Sequence, residues 1–64
     1  MFIEFAGMMI NTNYITSIYK TESQNKFYEV NVKIYPNSSP IKKIYSTPEE
    51  RDKAFNEFIE KINK

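Results

Sequence analysis

The C-terminal stretch STPEERDKAFNEFIEKINK, residues 46–64, constrains the fold more than any other part of the chain. Thr47 stands where a helix N-cap is preferred, Pro48 follows at the first helical position, and Glu50 lies three residues after the cap. This is the spacing of a capping box, in which two otherwise orphaned backbone N–H groups are satisfied. Glu49, Glu50 and Asp52 fall in the first turn, where the helix dipole favours negative charge. Ala54, Phe55, Phe58, Ile59 and Ile62 then recur in steps of one and three, a single apolar stripe at helical period. Glu49–Lys53, Glu57–Lys61 and Glu60–Lys64 are spaced as i,i+4 pairs on the wet side, each worth ~0.2–0.5 kcal/mol. The pattern predicts one helix, about 48–63, whose stripe must be covered by the residues before it.

Those residues read as strands. FIEF puts Ile3 on one face and Phe2 and Glu4 on the other, and Gly7, the only glycine, follows. It marks a tight turn between 2–6 and 8–10, in preference to a bulge in one longer strand. Asn11 and Asn13 suit a corner. Ile15 and Ile18 differ in parity, so Ile15 is placed in or just after that corner and the next strand begins near Thr16. TESQNK is a turn, KFYEVNVKIYP a strand, YPNSSP a loop between two prolines, and IKKIYS a short last strand. Strands followed by a lone terminal helix imply an α+β fold. The expectation is a four- or five-stranded antiparallel sheet with one C-terminal helix packed on one face. The expected core is Ile3, Ile10, Ile18, Val30, Val32, Ile34, Ile44, Phe55, Phe58, Ile59 and Ile62. Strands occupy 1–46 and the opposite sheet face has no second helix to cover it.

The run MINTNYITSI after a short first strand, followed by a hairpin and a capped C-terminal helix, resembles the short FlbD-type proteins of bacterial flagellar operons. It is similar too to many phage and bacterial chains of this length. The resemblance rests on Ile10, Asn11, Ile15 and Ile18, with Ala6-Gly7-Met8 where an Asn-Gly-Lys turn would stand. It implies a small sheet with a terminal helix and supplies no catalytic or binding residue to carry over.

Sixty-four residues form a single domain, 1–64. A chain this short buries only ~60% of the surface its unfolded form exposes. Small scaffolds compensate with disulfides, a metal or a partner subunit. There is no Cys and no His, which removes disulfides, thiolate sites and the commonest metal ligand. A homo-oligomer is the remaining expectation. Nine Lys+Arg against eight Asp+Glu give a net charge of +1, which does not mark a general nucleic-acid or membrane-surface binder. No apolar run exceeds three residues (Met8, Met9, Ile10), so no membrane span is expected. No signal-peptide pattern opens the chain, so a cytoplasmic location is the expectation. Abundant Asn, Ile, Lys and Tyr with one Arg resemble coding from an AT-rich bacterial or phage genome.

Catalysis is not expected. Without His or Cys there is no Ser-His or Cys-His pair, and one glycine builds no phosphate-cradling loop. No cofactor and no metal site is implied. Asn37-Ser38-Ser39 matches a glycosylation sequon, but between prolines it is turn chemistry. The candidate surface comes from the strand at 26–36. Tyr28, Val30, Val32 and Ile34 form its apolar face; Phe27, Glu29, Asn31, Lys33 and Tyr35 form the other. Hairpin pairing would bring Tyr19 near Phe27 and Tyr45 near Tyr35, with Lys33 and Lys42 beside them. Exposed aromatics on a small sheet mark a subunit or protein interface. Aromatics interleaved with Lys can also stack bases and hold phosphates. The functional expectation is a non-catalytic, self-associating binding module acting by stoichiometric contact. It would block a protein or sequester a small nucleotide-like ligand, as a phage or mobile-element inhibitor of a host defence system does. The alternative is a single-stranded nucleic-acid or nucleotide-binding protein.

Overall fold

A computed structural model describes residues 1–63. Five strands precede one helix: β1 (Phe2–Phe5), β2 (Met8–Asn11), β3 (Ile15–Glu22), β4 (Tyr28–Ile34), β5 (Ile41–Tyr45) and α1 (Pro48–Ile62), with a 3₁₀ turn at Thr12–Tyr14. The fold is α+β and every strand pair is antiparallel, as the sequence predicts, but the strands form two sheets. One is the hairpin β1–β2 and the other the meander β3–β4–β5.

The split has a local cause. Ala6 (φ 53°) and Gly7 (φ 80°) both have left-handed backbones, the geometry of a type I′ hairpin turn, which joins Phe5 to Met8 directly. Glu4 Oε2 accepts from the Gly7 N–H (2.7 Å) and holds the turn. Asn11 then caps the 3₁₀ turn by accepting from the Asn13 N–H (3.0 Å). That corner swings the chain out of the first sheet.

The core is Ile3, Phe5, Ile10, Val30, Val32 and Phe58. Phe5 from the hairpin meets Phe58 from the helix edge to face, their centroids 5.1 Å apart. Hairpin and helix therefore both cover the Val30/Val32 face of the meander. Ile15, Ile18, Ile34, Ile41, Tyr45, Phe55 and Ile62 pack around this centre.

Three sequence expectations change. Phe5 and Ile41 belong to the core, whereas Ile44, 57% exposed, does not, and Ile59 lies at the edge of the helix stripe outside the packed set. In β5 the register pairs Ile41 with Val32 and Tyr45 with Tyr28. Two apolar side chains share the inward parity against one for Ile44, and the larger burial wins. Ile15 and Ile18 do both point inward from one strand. The register shifts between Ile15 and Ser17, so a bulge at Thr16 resets the alternation. Thr16 Oγ1 donates to the Lys33 carbonyl there (3.2 Å).

The helix end is half of the expected box. Thr47 Oγ1 accepts from the Glu50 N–H (3.2 Å), whereas the Glu50 carboxylate takes the Ser46 hydroxyl (3.3 Å). Glu49–Lys53 and Glu57–Lys61 are not among the ion pairs of the described residues, and Lys64 lies outside them. The pairs that do form centre on Asp52, with Arg51 at 3.1 Å and Lys20 at 3.4 Å. Lys20 also lies over the Phe55 ring and Arg51 over the Tyr28 ring. These contacts fasten α1 to β3 and β4.

Candidate functional site

Alternation along β3–β5 sends half of the side chains away from helix and hairpin. The register fixes which: Ser17 opposes Lys33, Tyr19 opposes Asn31 and Asn31 opposes Lys42, and Thr21 opposes Glu29 and Glu29 opposes Ile44. These three rows make the second face of the meander, and the buried core lies wholly on the first.

Its centre is polar and ordered. Asn31 sits in the middle strand and is 0% exposed. Its Nδ2 donates to the Tyr19 carbonyl (3.3 Å) and to Thr21 Oγ1 (2.7 Å). The Thr21 hydroxyl in turn donates to Glu29 Oε1 (2.7 Å). Thr21 is thus acceptor and donor in one relay, and Glu29 is also buried. The Tyr19 carbonyl can only accept, which fixes the amide orientation. Asn31 Oδ1 finds no donor among the described residues, an arrangement that costs ~1–3 kcal/mol in a desolvated setting.

On the helix side, Arg51 Nη1 donates to the Thr21 carbonyl (3.2 Å) and Arg51 Nε to Asp52 Oδ1 (3.1 Å). Hydrogen bonding to Arg51 is the main cause that holds the Asp52 carboxyl below the usual carboxylate value; partial burial opposes it and Lys20 adds to it. Thr21 therefore touches both layers: its hydroxyl serves the uncovered face and its carbonyl the helix.

Of the residues singled out in sequence, Tyr19, Lys33 and Lys42 lie on this face. Tyr45 does not. It opposes Tyr28 on the other face, is half-buried against the core and carries Lys43 over its ring at 5.7 Å. The parity that brings Ile41 inward brings Tyr45 with it. Phe27 and Tyr35 lie just outside β4, at opposite ends. Phe27 closes the 23–27 loop: its N–H donates to Ser23 Oγ and its carbonyl accepts from the Ser23 N–H. Tyr35 donates its N–H to the Tyr14 carbonyl (2.8 Å). They are 50% and 69% exposed. Eight residues at ~3.3 Å each separate them by roughly 26 Å, so they frame the face and share no pocket. Tyr19 is not brought to Phe27, nor Tyr45 to Tyr35.

The sequence reading missed Thr21, Glu29 and Asn31 as an organised group, and Ile44 as the exposed apolar side chain beside them. The signal available was an amide between two valines in VNV. It becomes informative only once β4 is known to be the central strand.

A cavity of about 140 Å³ opens on the opposite side, lined by Phe5, Val30, Tyr45, Phe58, Lys43 and Glu57 among others. It falls below the ~300 Å³ at which ligand pockets begin. The uncovered face is the better candidate. Compared with protein-family models, curated proteins and solved structures, the chain matches none.

Proposed function

We propose that this chain is a non-catalytic binding module that self-associates and acts by stoichiometric contact through the uncovered face of β3–β5. The observation that carries the reading is that face itself. Helix and hairpin both pack on the Val30/Val32 side, and the other side presents exposed Ile44 and half-buried Tyr19 above the buried, hydrogen-bonded Asn31. Apolar and aromatic side chains left in water on the one sheet face that no helix covers are the enrichment seen at contact surfaces. Self-association is supported by chain size, since a small core gains most from a partner subunit. The wider role, a phage or mobile-element inhibitor of host defence, is supported by composition alone.

The test is the native mass by light scattering after size exclusion, over a concentration series. A multiple of the 7.6 kDa chain mass is expected. A monomer at every concentration overturns self-association. A second reading, nucleotide or single-stranded nucleic-acid binding, draws on the row Tyr19–Asn31–Lys42 with Lys33 beside it. It requires that Lys33→Glu weaken binding of an oligonucleotide and that binding fall steeply with salt.

A further inference from the structure

The order β3–β4–β5 leaves two strands with an unpaired edge, and they differ. β5 has five residues, follows Pro40 directly and carries Lys42 and Lys43 in succession. Proline and lysine are the usual devices that stop an edge from pairing. β3 has eight residues, no proline and, on its uncovered face, only Ser17, Tyr19 and Thr21. Its one interior charge, Lys20, is drawn back onto the helix by Asp52 (3.4 Å) and the Phe55 ring (5.1 Å). The single guard is the bulge at Thr16, at the start of the strand.

We propose that the edge of β3 is where a second copy of this chain docks, antiparallel about a two-fold axis at Tyr19, to give one six-stranded sheet. This rests on the self-association proposed above and names its surface.

The sequence of β3 is self-complementary in that register. Tyr19 meets its own symmetry mate, Ser17 meets Thr21 of the second copy and Thr21 meets Ser17. Lys20 meets Ile18, so no like charges oppose one another directly. Aromatic and hydroxyl pairs directly across strands are each favourable by ~0.2–1 kcal/mol. Stacking two uncovered faces is the weaker route. Three strands ~4.8 Å apart and about five residues long present on the order of 200 Å², against ~800 Å² per partner in a standard interface. Edge pairing adds main-chain hydrogen bonds and leaves that face free. It also joins the two copies of it into one surface, Lys42–Asn31–Tyr19 continuing into Tyr19–Asn31–Lys42.

The chain has no cysteine, so one introduced thiol reports cleanly. In Tyr19→Cys the two thiols lie across the axis, with Cα atoms ~4.5–5.5 Å apart, within the ~4.4–6.8 Å that a disulfide bridges. Lys42→Cys sits on the far edge, its mate five strand spacings or roughly 24 Å away. Mild oxidation is expected to convert most of Tyr19→Cys to a covalent dimer and little of Lys42→Cys. Should Tyr19→Cys fail to fold by circular dichroism, Ser17→Cys and Thr21→Cys chains are mixed, and the crosslink is expected only between unlike chains. An oligomeric wild type whose β3 thiols do not crosslink overturns the edge and leaves self-association standing. Equal crosslinking of both edges, the mark of random collision, overturns the edge as well. A monomeric wild type overturns both.

Discussion

At the scale of single residues, Thr21 is the side chain on which the uncovered face depends. Among the described residues its hydroxyl is the only link between Asn31 and Glu29. Thr21→Val keeps the shape and removes the link, leaving two buried polar groups short of a partner. A loss of ~1–3 kcal/mol is expected from urea unfolding, whereas Ser17→Ala, at the other end of the same face, is expected to stay within ~0.5 kcal/mol. Equal effects would mean the relay contributes nothing. Asp52 makes a prediction in pH. Its folded carboxyl titrates below the ordinary value, so its contribution is present above that value and is lost as pH falls through the folded pKa. The urea midpoints of wild type and Asp52→Asn are expected to differ at neutral pH and to converge as pH falls below the ordinary carboxylate range. The gap should be small and salt-sensitive, because the Asp52 side chain is 46% exposed. The sequence could not announce either group. Thr21, Asn31 and Glu29 meet only across β3 and β4, and nothing local in TESQNKFYEVN says which strand is central.

At the scale of elements, legibility follows how local the cause is. The helix was readable because its cap, first-turn acids and stripe all lie within 46–64. The β1–β2 turn was readable from one glycine. Each points to a substitution. Thr47→Ala removes the acceptor for the Glu50 N–H, a loss of ~1 kcal/mol. At Gly7 an added Cβ meets nothing within 4 Å, so the cost of Gly7→Ala is purely that of φ 80°, again ~1 kcal/mol. Thermal melts should fall by ~4–8 °C in each case. Gly7→Asn should recover part of the loss, since Asn tolerates the left-handed region; no recovery would place the cost elsewhere. The parity of β5 and the bulge in β3 were not readable. IKKIY has apolar residues on both parities, and ITSI fits no regular strand until an extra residue is allowed. Both were settled by burial against β4, a long-range term. The misplacement of Ile44 and Tyr45 follows from that one step.

At the scale of the whole molecule, the chain divides its labour by face. One side of the meander carries hairpin, helix and core; the other carries a hydrogen-bonded centre ringed by Tyr19, Lys33, Lys42 and Ile44. The division into one covered and one bare face was legible, because a single amphipathic helix can cover only one side. The division into two sheets was not, because it depends on how far the Thr12–Tyr14 corner turns the chain. The two sides are tied together at Arg51, the only arginine, which reaches the Thr21 carbonyl from the helix while the Thr21 hydroxyl faces the other way. That gives the molecule a built-in spectroscopic reporter. A ¹⁵N spectrum should contain one arginine Nε–H resonance, from a group bonded to Asp52 in the helix layer. A ligand or partner that settles over Asn31 and shifts Thr21 should move that signal without touching the helix. If the Asn31 side-chain amide shifts on titration and the Arg51 resonance stays still, the two layers are uncoupled.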